Sequence, residues 1–446
     1  MTNPRKQKRP FAVIHVGPHK TGSSTIQEFL YEHPEIIRDE DGYVVTYIKS
    51  RREGPKNMAT LAVCLNQDEE EVATQGNLKT WCTDFEQAGR DFEEILQNVK
   101  THNENQNANA AWQTQTSTTE NGDGDPQQQQ QQQQQHIVIS SEEFDRAMVD
   151  IEWLRDRLEP DFEVRIVLYY RWFHDWIGSY INQLTKMGLT RDWGWKKNGP
   201  KHYSTLVFPT VTEWLDLHLE HYVKQHTYPV YQRYAEHFGR EALTVLDFHD
   251  ENEDIEVSFF CRGLPYATAS CDLARQRQED SISLVKNTRV SIDWLRIQAL
   301  LTNVHQGGLT DEQEEIIRMK LEQCLEEHPS PTLWFDGEPR PEDAGNPIRR
   351  LCPSRETVDS ILNRSLEFER KVAKLLETSR EDRLEFSIEE DFRNQFNESF
   401  CTLDADHILR RWEKRKWFKE LLDNPGRQTA EPLSPVNTNT TEGDVR

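Results

Sequence analysis

The sequence predicts a three-layer α/β/α fold around a central, mainly parallel sheet, with helical additions toward the C-terminus. Short apolar runs alternate with helix-like stretches from residue 11 to about residue 250. One of them, "EVRIVLYYR" (163–171), is nearly continuous, as a strand buried on both faces requires. The first apolar run stops at Gly17, and a loop rich in hydroxyls leads into a helix, which is the layout of an anion-binding first βα unit.

In chain order, "FAVIHV" (11–16) reads as a buried strand and "SSTIQEFLYEH" (23–33) as the helix after it. "YVVTYI" (43–48) is a second strand, and residues 57–100 look mainly helical with an acidic surface. Structure resumes with the strand in "HIVISSEEF" (136–144) and a helix through about Leu158. Strand 163–171 is followed by the helical "WFHDWIGSYINQLTK", and "ALTVLDF" (242–248) adds a further strand. The rest reads as largely helical, most clearly near 290–304, 310–327 and 355–378. No internal repeat is visible.

Composition divides the chain into a basic tail (1–10), an α/β domain (11–424) and a polar, disordered tail (425–446). Residues 101–135 are nearly all Asn, Gln, Thr, Gly and Asp and end in nine consecutive Gln. Too little apolar surface is present there to offset the entropy of ordering, so a disordered insertion is expected. With 53 basic and 77 acidic groups the net charge is −24, which disfavours nucleic acid or an anionic membrane as partner but leaves room for a local anion site. The seven cysteines are scattered with no CxxC pair, and mostly free thiols are expected, with no zinc site. The basic N-terminus precedes only the short run "FAVIHVG", so neither a signal peptide nor a spanning helix is expected. A cytoplasmic or otherwise soluble protein is expected. Sequons at Asn363, Asn397 and Asn439 are about as many as chance provides.

The loop reads Gly17-Pro18-His19-Lys20-Thr21-Gly22-Ser23-Ser24. A nucleotide-triphosphate P-loop places its lysine after the last glycine, whereas Lys20 precedes Gly22. Main-chain N–H groups, the following helix N-terminus and the hydroxyls of Ser23, Ser24 and Thr25 can all face an anion. "HKTGSS" resembles the 5′-phosphosulfate loop of sulfotransferases that use 3′-phosphoadenosine-5′-phosphosulfate (PAPS), a strand followed by K-T-G-[ST]-[ST] and a helix. That family also needs an arginine at the end of a later strand and a serine eight residues on, which hold the 3′-phosphate. "VLYYRWFHDWIGSYINQ" supplies them as Arg171 and Ser179. The resemblance implies a P-loop-like sulfotransferase fold over residues 11–265, with PAPS held by His19, Lys20, Thr21, Gly22, Ser23, Ser24, Thr25, Arg171 and Ser179 and with no metal.

Sulfuryl transfer to a hydroxyl needs a base for the acceptor proton and cations for the charge that develops. The resemblance implies Lys20 as the catalytic cation and Glu142 or Glu143, in "ISSEEF", as the base. His19 and His174 are alternatives, His174 with a structural role as the stronger reading. The family's downstream R-K-G element is lacking, with Arg262-Gly263 a partial echo. "TRDWGWKKNGPKHY" (190–203) combines Trp and Lys as a carbohydrate-facing lid would, and equally as an exposed loop anchored by its Trp residues. A carbohydrate acceptor is the expectation by family analogy, and the resemblance also implies the Golgi lumen as the alternative compartment if the N-terminus is incomplete. Two other classes remain: a kinase or NTPase using Mg²⁺ held by an acid such as Asp247, and a non-catalytic nucleotide-binding protein on the same fold.

Overall fold

The computed structural model describes residues 9–46, 59–65, 85–116, 134–146, 148–190, 215, 219–220, 222–250, 252–280, 297, 301, 310–327, 332–335, 348–375, 388–396 and 400–423. Five strands form a wholly parallel sheet: β1 (Phe11–His15), β2 (Tyr43–Val45), β3 (His136–Ser140), β4 (Glu163–Tyr170) and β5 (Leu243–Asp247). Their order across the sheet is β2-β3-β1-β4-β5. β1 is paired on both edges, with Val13 opposite Val138 of β3 and Arg165 of β4.

Alternation along the strands decides the layering. Ala12, Ile14, Ile137, Ile139, Ile166 and Leu168 enter one core. Helices α2 (Ala59–Cys64), α3 (Phe85–Thr116), α4 (Ile151–Leu158) and α6 (Thr227–Phe238) contribute to that core. Phe11, Val13, Val138, Val167 and Tyr169 enter the other, against α1 (Ser23–Glu32), the short α7 (Ile255–Ser258) and α8 (Thr268–Glu279). Helices therefore cover both faces, as parallel strands with two apolar faces demand. In α1, Ile26, Phe29 and Leu30 form the buried stripe at helical spacing, and the helix stops at His33, directly before Pro34.

A third core is centred on α5 (Phe173–Thr190) and α10 (Arg355–Ala373), where Phe173, Trp176 and Ile177 pack with Ile361 and Phe368. Ser354 caps α10 by accepting from the Thr357 N–H at 3.1 Å. Buried polar bonds join α10 to the sheet side: Tyr170 Oη donates to Glu369, and His174 Nδ1 lies 2.8 Å from Ser365 Oγ.

The structure departs from the sequence expectations in three places. Helix α3 runs through Thr116, well into the tract whose composition suggests disorder, because it continues a helix already packed through Phe92, Leu96 and Val99. The region expected to be largely helical contains a second sheet of β6 (Thr332–Phe335), β7 (Arg349–Cys352) and β8 (Thr402–Leu403), with α9 (Asp311–Glu327), α11 (Ala405–Trp412) and α12 (Lys416–Asp423). These strands are four residues or fewer, too short for a periodicity to register.

The cysteines are the third departure. Cys261 bonds Cys271, Cys352 bonds Cys401, and Cys64 is also in a disulfide, while Cys324 is free. Their spacing carried no signal because pairing depends on neighbouring positions in space: Cys352 ends β7, and Cys401 directly precedes the antiparallel β8. Residues 1–8, 117–133, 191–203 and 424–446 lie outside the described residues. They hold most of the basic tail, most of the Gln run, the Trp/Lys loop and the C-terminal tail.

Removing the Cys352–Cys401 bridge, which closes a sequence separation of 49, is expected to cost about 2–4 kcal/mol. Denaturant unfolding of Cys352→Ala/Cys401→Ala against wild type measures this, and an unchanged midpoint would mean that the bridge contributes nothing.

Candidate functional site

The chain leaves β1 at the carboxyl edge of the sheet and returns through α1 to β2 on one side, whereas β4 leads on to β5 on the other. Such a reversal opens a crevice at the strand ends. Two segments far apart in sequence meet at these strand ends: Arg171 Nη1 donates to the Lys20 carbonyl at 2.5 Å.

The loop is held from several sides. Lys20 has φ 69°, a left-handed conformation that a lysine adopts only under constraint, and Gly22 follows at φ 82°. The positive φ favours glycine at position 22, and a Cβ there would also press on the tip of the Ile255 side chain at 2.4 Å. Thr21 Oγ1 donates to the Pro18 carbonyl at 2.7 Å, so this hydroxyl closes the turn. The His19 N–H and Nδ1 both approach Asp145 Oδ2, at 2.8 and 2.9 Å, while its carbonyl accepts from Trp176 Nε1 at 2.6 Å.

His19 thus faces the protein body. Its Nε2 lies 3.6 Å from Glu143, which also takes Arg146 Nε at 2.5 Å. Burial opposes a charge on His19, but Asp145 and Glu143 outweigh it and lift the imidazole to about 10. Glu143 is likewise disfavoured as an anion by burial, yet Arg146 and His19 hold it down to about 2. Asp145 is raised by burial, which the His19 bonds counter only in part. Its neighbour Glu142 points elsewhere: it is half-buried and accepts from Gln27 Nε2 of α1 at 2.8 Å.

Gly22 supplies no side-chain cap to α1, and its carbonyl takes the Thr25 N–H at 2.9 Å, which leaves the N–H groups of Ser23 and Ser24 for another acceptor. Ser23 Oγ is buried without a hydrogen-bond partner. Ser24 and Thr25 are half-buried on the first turn of the helix. His15, at the end of β1, is fully buried with Nδ1 2.8 Å from Ser140 Oγ and Nε2 unpartnered.

Across the crevice, Arg171 gives Nε and Nη2 to Asp175 at 2.5 and 2.8 Å and lies 4.7 Å over the Phe248 ring. Three of its five N–H groups are in bonds to Asp175 and Lys20, and the other two remain. Ser179 is half-buried farther along α5. His174 is locked between Ser365 and Asp391, both at 2.8 Å, and is a structural residue. Asp247 accepts the His249 N–H at 2.9 Å.

Sequence reading missed His15, Asp145, Asp175 and Gln27. His15 looks like an ordinary strand residue, and nothing local shows that Asp145 reaches across to His19, a separation of 126 residues.

The His19 network predicts a pH dependence of stability. A pKa raised from 6.5 to about 10 stabilises the fold fully below pH 6.5, and this contribution is lost as pH rises through about 10. Wild-type melting temperature should therefore fall across that window, and Asp145→Asn should flatten the fall; parallel profiles for the two proteins would contradict the ion pair. Compared with protein-family models, curated proteins and solved structures, the chain matches none.

Proposed function

We propose that the chain is a PAPS-dependent sulfotransferase acting on a hydroxyl acceptor. The observation that carries this reading is the convergence of two motifs: the loop with Lys20 and the strand end with Arg171 are 151 residues apart and bonded to each other at one crevice. The uncapped α1 N-terminus and the buried, unpartnered Ser23 hydroxyl suit the 5′-phosphate end of the donor. The two remaining Arg171 N–H groups and Ser179 suit its 3′-phosphate, with Asp175 holding the guanidinium in plane.

The donor brings an activated sulfuryl group, and the protein supplies orientation, a base and charge. Glu142 is the base: it is half-buried at the rim, whereas Glu143 is committed to His19 and Arg146. It takes the acceptor's proton as the new S–O bond forms and the bond to the 5′-phosphate breaks. Lys20 and the loop amides then meet the charge released on that phosphate.

Among the described residues no helix is long and apolar enough to cross a membrane. Two complete disulfides and the bonded Cys64 favour an oxidising compartment, which corrects the free-thiol reading and favours the lumenal alternative over the cytoplasm. A carbohydrate acceptor suits that setting.

Adenosine 3′,5′-bisphosphate at about a hundredfold its Kd should stabilise the protein by about 2.7 kcal/mol, seen as a thermal shift. Adenosine 5′-diphosphate should do less, and Arg171→Ala should erase the difference. A shift produced only by ATP with Mg²⁺ would replace this reading with the kinase one. In sulfuryl transfer from PAPS, Glu142→Gln should lower kcat by about 10²–10⁴ with nucleotide affinity kept. An unchanged kcat would remove Glu142 from the mechanism.

A further inference from the structure

We propose that His15 is an anion-contacting residue of the loop, donating its Nε2–H to the phosphoryl group seated over Gly17 and taking up a proton as that anion binds. The proposal rests on the donor reading above and adds a residue that no motif marks.

The missing side chain of Gly17 locates the contact. A Cβ built there would lie 2.2 Å from Ser23 Oγ, 3.1 Å from His15 Nε2 and 3.2 Å from Thr21 Oγ1. Three polar atoms thus crowd the place that a side chain on residue 17 would take, and only glycine leaves them room to face one another there. Thr21 is satisfied by the Pro18 carbonyl, but Ser23 Oγ and His15 Nε2 have no partner, and their residues are 4% and 0% exposed. A buried polar atom without a partner is costly, so two of them beside Gly17 fit a site whose ligand completes the bonding.

His15 is a neutral donor in the free protein. Burial lowers its pKa to about 4, and Glu142 offsets only part of that effect. The groups around the ring are Ser140 from β3, Glu142 from the turn after β3, Tyr169 from β4 with ring centroids 5.9 Å apart, and Phe259 after α7 at 5.0 Å. Of these, Glu142 alone carries charge near neutrality, since burial raises the Tyr169 phenol. In the proposed contact the Ser140 hydroxyl, 2.8 Å from Nδ1, is the donor of that pair, which puts the one ring proton on Nε2 toward Gly17. A phosphoryl dianion arriving there stabilises the imidazolium and raises its pKa, so binding draws in a proton.

Calorimetry on the full chain at about pH 5–7, in buffers of differing ionisation enthalpy, tests both parts with adenosine 3′,5′-bisphosphate and adenosine 3′-monophosphate. Wild type should take up protons on binding the bisphosphate. His15→Leu should lose that uptake and about tenfold or more in bisphosphate affinity, the loss of a hydrogen bond to a charged group, with 3′-monophosphate affinity unchanged. His15→Gln, which keeps an uncharged N–H donor, should recover most of the affinity without the uptake. Equal bisphosphate affinity in wild type and His15→Leu, or proton uptake persisting in His15→Gln, would overturn the proposal. If wild type binds neither nucleotide, the donor reading falls, and inorganic phosphate becomes the probe: weaker binding by His15→Leu supports the contact, and equal binding overturns it.

Discussion

Parallel pairing of β1 with β3 on one edge and β4 on the other brings the ends of three strands to one side of the sheet. The loop after β1, the Glu142–Asp145 turn after β3 and Arg171 after β4 become neighbours for that reason alone. The pairing is strongly specified, because Phe11 and Val13 face one core while Ala12 and Ile14 face the other. A slip of one residue would exchange those two sets, and every contact at the crevice would be lost with them.

Behind the loop lies a compact set of charges: His19, Glu143, Asp145 and Arg146, with Arg233 donating to the carbonyls of Asp145 and Arg146. Desolvation of these charges offsets much of their pairing energy, so beyond the pH-dependent share carried by protonated His19 the cluster adds little net stability. It fixes geometry. Asp145 grips both the main chain and the ring of His19, and the next residue is Lys20 in its left-handed conformation. Clamping one side of the loop leaves the unpartnered polar atoms, Ser23 Oγ and His15 Nε2, on the other side beside the first turn of α1.

The C-terminal region takes part in the same arrangement. Glu369 and Ser365 are four residues apart on α10, hence on one helical face, and they bond Tyr170 and His174 on either side of Arg171. The Cys352–Cys401 bridge closes the chain segment that carries α10. The strand end that presents Arg171 is thereby held by elements from the far end of the chain.

By itself the sequence determined the α/β class, the five strands of the main sheet and the loop–helix with Lys20. These are local: period, strand length and turn chemistry act within a few residues. The bond from Arg171 to the Lys20 carbonyl was not legible, since no local pattern links residues 151 apart. Tertiary structure decided the rest. It separated Glu142 from Glu143 by giving one Gln27 and the other His19 with Arg146, although they are adjacent on a 3₁₀ turn. It paired cysteines that spacing left as thiols, and it left the buried Nε2 of the strand residue His15 without a partner beside Gly17. Partner choice, burial and orphaned hydrogen bonds are relations between distant segments, and they exist only once the chain is packed.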